Sequence, residues 1–188
     1  MSCGGERWLG GVLCLLTASS VAINILQGRR ILALQDKLED LSMAGELPVG
    51  TRVPPLEATD LHARLVRIAY GDVSTPTVLY VFRPSCPWCE RNNPSVLRLA
   101  DAAGKSYRFL GISLSSEDLG EFVAGRGLTF PAYSGVSPAA MRLYHLGTTP
   151  EMIVISRSGV VAASWRGAFL GRTRSDIERF FSVRLPDI

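Results

Sequence analysis

The stretch Val78–Pro94, VLYVFRPSCPWCERNNP, decides how the chain is read. With Thr77 ahead of it, the first part is a continuous apolar, β-rich run to Phe82, the pattern of a central strand buried on both faces. At Cys86 a helical segment opens that runs to about Ala103, where Gly104 stops it. Pro94 interrupts that helix soon after its start. Cys86 and Cys89 thus sit where a strand hands over to a helix. Such a pair is a metal clamp, a structural disulfide, or two sulfurs that trade electrons with other proteins.

A tetrahedral zinc site needs four nitrogen or sulfur ligands, usually as two pairs. The remaining cysteines, Cys3 and Cys14, lie ahead of and inside an apolar N-terminal segment, and His62 and His145 are not spaced as a pair. No metal site is expected, and Cys3 and Cys14 read as inert small residues. A structural disulfide closing so short a loop removes little chain entropy and stabilises weakly. The redox reading uses every neighbour. A helix N-terminus offers unpaired N–H groups and a partial positive charge, which favour a thiolate on Cys86, the nucleophile. Pro87 fits the first turn, where no N–H is needed. Cys89 falls on the same face one turn along, placed to resolve a mixed disulfide. Trp88, between them, is expected to form an apolar lip that packs on substrate, with helix-surface packing as its bland alternative.

Working outward, Leu65–Ala69 reads as a short strand paired with the extended segment before His62, and Tyr107–Ser113 as a second central strand. Ser115 and Ser116 offer an N-cap for a helix stopped by Gly125 or Gly127. Ser137–Pro138 starts a short helix ending before Gly147. Met152–Ile155 and Val160–Trp165 form a hairpin around Ser158–Gly159, and Ser175 with Glu178 makes a capping box for the last helix. The order β-β-α-β-α-α-β-β-α predicts an α/β domain with a central mixed sheet flanked by helices.

At these residues the chain resembles the thioredoxin fold. The marks are the strand, the C-x-x-C pair, the helix, and Pro94 five residues after Cys89. His145–Val161, HLGTTPEMIVISRSGVV, is similar to the fold's other mark, a proline before the β-hairpin held cis beside the cysteines; here it is Pro150. Val49–Ile68, VGTRVPPLEATDLHARLVRI, resembles the start of TlpA-like proteins, the membrane-anchored thiol–disulfide oxidoreductases. The resemblance covers roughly residues 48 to 184. It implies a redox-active Cys86–Cys89 disulfide with no other cofactor. It also implies a cis Thr149–Pro150 bond whose Thr149 backbone pairs with an extended client, and a near-site structural role for Pro94. Two departures stand out. Thioredoxins place a buried acid where Tyr80 stands, and many TlpA-like reductases place a glutamate where Asn92 stands, so neither proton acceptor for Cys89 is present. Peroxiredoxins share this broad superfamily, but their threonine three residues before the reactive cysteine is Arg83 here.

The chain has 188 residues and a net charge of +3 with no basic stripe interleaved with aromatics, so nucleic-acid binding has no support. Trp8–Leu26 carries no charge over the length an α-helix needs to cross a hydrocarbon core of about 30 Å. It reads as an uncleaved transmembrane anchor, with a cleaved signal peptide as the rival. The organisation expected is a tail over 1–7, the anchor over 8–26, a helical stalk and linker over 27–45 with Ile31, Leu34, Leu38 and Leu41 in a stripe, and the domain over 46–188. Arg29 and Arg30 after the anchor, against Arg7 before it, would keep the domain in the cytoplasm. Disulfide exchange and the family's order place it instead on the periplasmic side of a bacterial inner membrane. The function expected is disulfide exchange with protein clients, leaning to reduction, with cytochrome c maturation as one role and an upstream membrane electron donor as a partner. Trp88 stands beside Cys89 where strong oxidants carry a cation. A non-catalytic adaptor and a thiol peroxidase are the alternatives.

Overall fold

The computed structural model describes residues 17, 19–21, 23–31 and 45–187 of the chain. Two units are present, Met1–Ser42 and Met43–Ile188. In the first, the described residues are helical and exposed. Among the described residues no helix is long and apolar enough to cross a membrane. Much of Trp8–Leu26, and Leu34, Leu38 and Leu41 of the expected stalk, lie outside the described residues.

The second unit begins with a two-stranded antiparallel sheet, β1 (Leu56–Thr59) and β2 (Leu65–Ile68). The Asp60 carboxylate accepts the N–H groups of His62 and Arg64 and so closes the turn between them. There follow β3 (Thr77–Phe82), α1 (Pro87–Ala103), β4 (Arg108–Ser113), α2 (Leu119–Arg126), β5 (Ala132–Tyr133), α3 (Pro138–Leu143), β6 (Glu151–Ile155), β7 (Val161–Arg166) and α4 (Gly171–Phe181). The five-stranded sheet has the order β5-β4-β3-β6-β7. Strand β3 pairs parallel with β4 and antiparallel with β6, so the sheet is mixed.

All six residues of β3 are buried, as the apolar run requires. Their alternation builds two cores. Val78, Tyr80 and Phe82 join Cys89, Val96 and Leu99 of α1, Phe122 of α2 and Ile177 and Phe181 of α4 on one face. Leu79 and Val81 join Leu56, Ala58, Ile153 and Tyr144 on the other, under α3 and the small sheet. A shift of one residue in β3 would exchange the two sets, which is why the register is firmly specified.

Both edges of the larger sheet are met by the chain that enters the domain. Gly50 and Val53 donate to Val161 and Gly159 at the outer side of β7, each at 2.8 Å, while Thr59 and Ser134 exchange N–H···O bonds of 2.7 and 2.8 Å beside β5.

Four sequence expectations are corrected. Strand β5, two residues long, is too short to carry a period. Helix α2 begins at Asp118, with no side-chain cap, because Ser115 Oγ accepts the Glu117 N–H and closes a turn of its own. Helix α4 begins one turn earlier than the proposed box, at Leu170; Ser175 Oγ donates back to Gly171 O, and Glu178 accepts from Leu185 N and Arg174. Pro94 lies inside α1 with its ring exposed, and the helix continues through it. The expected caps Ser137 and Gly104 and the stop at Gly127 stand where the sequence places them.

Candidate active site

Strand β3 ends at Phe82, and the turn Arg83–Cys86, closed by Cys86 N–H to Arg83 O at 3.1 Å, delivers Cys86 to the start of α1. Cys86 is the N-cap residue, with extended backbone and Pro87 following at the first helical position. Its Sγ accepts the Cys89 N–H at 3.2 Å, doing with sulfur what serine or aspartate oxygen does at ordinary caps. Across the site the Thr149–Pro150 peptide bond is cis, and the Thr149 carbonyl lies 3.7 Å from Cys86 Sγ. Cys86 is half-buried and Cys89 fully buried, both as free thiols. Cys86, Cys89 and Thr149–Pro150 are therefore brought together, with Pro87 in the first turn and Pro94 farther along the same helix.

The environments of the two sulfurs pull in opposite directions. Partial burial would raise the Cys86 thiol, but hydrogen bonds from the Cys89 thiol, the Thr149 side chain and the backbone N–H groups of Cys89 and Trp88 outweigh it and hold Cys86 below the ordinary thiol range. Burial pushes Cys89 up to about 12, and the hydrogen bond it gives to Cys86 adds to the rise. One sulfur is exposed enough to react and disposed to ionise; its partner is covered and keeps its proton.

Trp88 projects from the first turn, 43 % exposed, with the Arg91 guanidinium 4.9 Å from its ring centre. Glu90, also exposed, forms an ion pair with Arg126 at the end of α2 and is not turned toward the sulfurs. Arg83 is half-buried and reaches Leu114 O at 3.5 Å.

Three residues do more than the sequence reveals. The Tyr80 hydroxyl, fully buried, donates to Cys89 O at 3.3 Å, and burial drives its own ionisation far above the usual phenol range. Asn92 is also fully buried: its Oδ1 accepts Phe169 N–H at 3.1 Å and its Nδ2 donates to Gly167 O at 3.5 Å, tying α1 to the loop between β7 and α4. Neither side chain is a base. Glu151, directly after Pro150, is a fully buried carboxylate paired with Arg166 at 3.3 Å. Burial pushes it up to about 7 against the pull of Arg166. Arg166 also donates to His145 O, and its backbone N–H bonds Glu46. The signal for Glu151 was its place in an otherwise apolar strand, Glu-Met-Ile-Val-Ile.

The model of the AhpC/TSA family matches residues 49–164. No curated protein matches the chain in sequence. Among solved structures, the thioredoxin domain of a thiol–disulfide oxidoreductase from Bacteroides vulgatus superposes with a TM-score of 0.59 at 18% identity, over 72% of this chain and 99% of that one. StoA from Bacillus subtilis superposes with a TM-score of 0.54 at 18% identity, over 69% and 98%. A secreted Mycobacterium tuberculosis disulfide oxidoreductase homologous to E. coli DsbE gives 0.54 at 18% identity, over 67% and 93%. At this identity the likeness shows the fold, which is thioredoxin-like.

Proposed function

The chain belongs to the AhpC/TSA family, and from that premise we propose that it is a thiol–disulfide oxidoreductase working on protein clients through Cys86 and Cys89. The observation that carries this reading is the opposed pair of sulfurs at one helix start, with Cys86 lowered and reachable and Cys89 raised and covered. In the reducing direction the Cys86 thiolate attacks one sulfur of a client disulfide. An S–S bond forms between Cys86 and the client, the client's own S–S bond breaks, and the second client sulfur leaves as thiolate. Cys89 then loses its proton and attacks Cys86 Sγ, expelling the first client sulfur as thiolate. Two electrons have passed to the client, and Cys86–Cys89 is left as a disulfide. An extended client pairs with the Thr149 backbone and packs on Trp88. A membrane electron donor returns the pair to dithiol.

Insulin reduction by the full chain tests the activity; turnover lost in Cys86→Ser supports it, and no turnover in the wild type leaves the adaptor reading. The family match also favours a second reading, a thiol peroxidase, which peroxide consumption by the reduced chain would reveal. Arg83, where that class carries threonine, speaks against it.

The same reading places Glu46 onward in the periplasm, tethered by Trp8–Leu26, with reduction of client cysteines, apocytochrome c among them, as its task. Alkaline phosphatase fused after Ile188 should be active there. An inactive fusion, with a cytoplasmic reporter active at the same point, would overturn the location.

A further inference from the structure

At the pole of the domain opposite the cysteines, arginines from three separate segments line one cavity of about 400 Å³. Arg52 comes from the chain ahead of β1, Arg67 from β2, and Arg157 from the turn between β6 and β7. The cysteines follow the last residue of β3, whereas this cavity adjoins the turn opposite its first: Thr77 pairs with Ile155, which leads into Arg157. At ~3.3 Å per strand residue the two places are on the order of 15–20 Å apart.

Two of these guanidiniums are held in place by backbone carbonyls, which leaves their positive charge uncancelled. Arg52 Nη1 donates to Ser158 O at 2.6 Å, and Arg157 Nε donates to Val73 O at 3.1 Å. Behind the wall, Arg108 donates to Ala69 O at 2.7 Å and to Thr77 Oγ1 at 2.8 Å, adding a fourth positive charge. Among the described residues none of the four enters an ion pair. The opposing charges are Asp72, in the wall, and Glu57, across the strand pair from Arg67. The wall is also built to stay close: Gly159 has φ +74, and a Cβ there would stand 3.1 Å from Val53 O, so a side chain would be strained and would press on the Arg52 segment.

We propose that this pole binds a phosphate group, carried either by a phospholipid headgroup or by a free phosphate ester. Guanidinium forks match phosphate oxygens. A planar carboxylate satisfies one fork in its own plane, whereas a tetrahedral phosphate offers oxygens on several sides, which suits a lining whose arginines come from three separate segments. The cavity's volume accommodates the group with part of its ester.

The test is calorimetric titration of the full chain in neutral detergent, at low salt, with inorganic phosphate, glycerol phosphate and acetate. Saturable phosphate binding is expected, weakened at least tenfold in an Arg52→Gln/Arg157→Gln variant and measurably in Arg67→Gln. The last removes only an exposed strand side chain and so keeps the test valid if the double variant does not fold. An unchanged alkylation rate at Cys86 reports that a variant is folded. Competition by phosphatidylglycerol in mixed detergent micelles, but not by phosphatidylcholine, assigns the site to lipid headgroups; competition by glycerol phosphate alone assigns it to soluble esters. Absence of saturable binding, equal affinity for acetate, or equal binding by folded variants would overturn the proposal.

Discussion

At the scale of single residues, the two sulfurs of one motif are set apart by what surrounds them. Cys86 is lowered by hydrogen bonds to its thiolate, so alkylation by iodoacetamide should proceed with a pH midpoint below the 8.5 or so of a free thiol. Cys89 should stay unmodified until the chain unfolds. If Cys89 is alkylated first, the assignment of nucleophile and resolving thiol is wrong. Cys89→Ser should trap clients as mixed disulfides on Cys86, visible as adducts that reductant releases. In the dithiol, burial pushes Cys89 up to about 12, and neither Tyr80 nor Asn92 is a base, so in the proposed mechanism the resolving step depends on a small thiolate fraction. Below that pH the fraction rises tenfold per unit. Resolution followed by rapid mixing should therefore still accelerate about tenfold per pH unit between 7 and 9, whereas the attack by Cys86 levels off. Tyr80 and Asn92 show the limit of reading residue types. Their identities reveal that a base is missing, but not that the phenol hydroxyl holds the Cys89 carbonyl and the amide ties α1 to the loop ahead of α4.

At the scale of elements, what was legible is what periodicity and caps record. The run Thr77–Phe82 declared a strand buried on both faces, and Ser137, Gly104 and Gly127 marked helix ends through local chemistry alone. Elements fixed by tertiary contacts were not legible. Strand β5 exists because Ala132 and Tyr133 pair with Gly111 and Ile112, and the start of α4 is set where Asn92 receives the Phe169 N–H. Asn92 thereby acts as a joint between the helix that carries the cysteines and the loop ahead of α4. Replacing it with Leu leaves the buried Phe169 N–H, and the half-buried Gly167 O, without that partner, and should cost about 1–3 kcal/mol. A lower urea midpoint with an unchanged m-value is the expected reading, and an unchanged midpoint would show that the joint carries no weight.

At the scale of the whole molecule, Glu151 makes stability depend on pH. Its folded pKa, raised to about 7, lies above its ordinary 4.5, so the folded state holds a proton that the unfolded chain releases. The stabilisation is fully present below 4.5 and is lost as pH rises through 7, a change on the order of 3 kcal/mol. Glu151→Gln, compared with the wild type by urea unfolding from pH 4.5 to 8, should flatten that slope. An identical slope in both proteins would place the titration elsewhere. The sheet edges carry a different consequence. A free edge is a template on which copies of a chain add to one another. Here Gly50–Val53 occupies the outer side of β7 while Thr59 bridges to Ser134 beside β5, so one stretch of ten residues guards both ends of the sheet. A chain shortened past Thr59 would lose Leu56 and Ala58 from the core and would bare both edges at once. Light scattering should then show self-association that grows with concentration. The lead-in to the domain is thus also its defence against growing into a fibre.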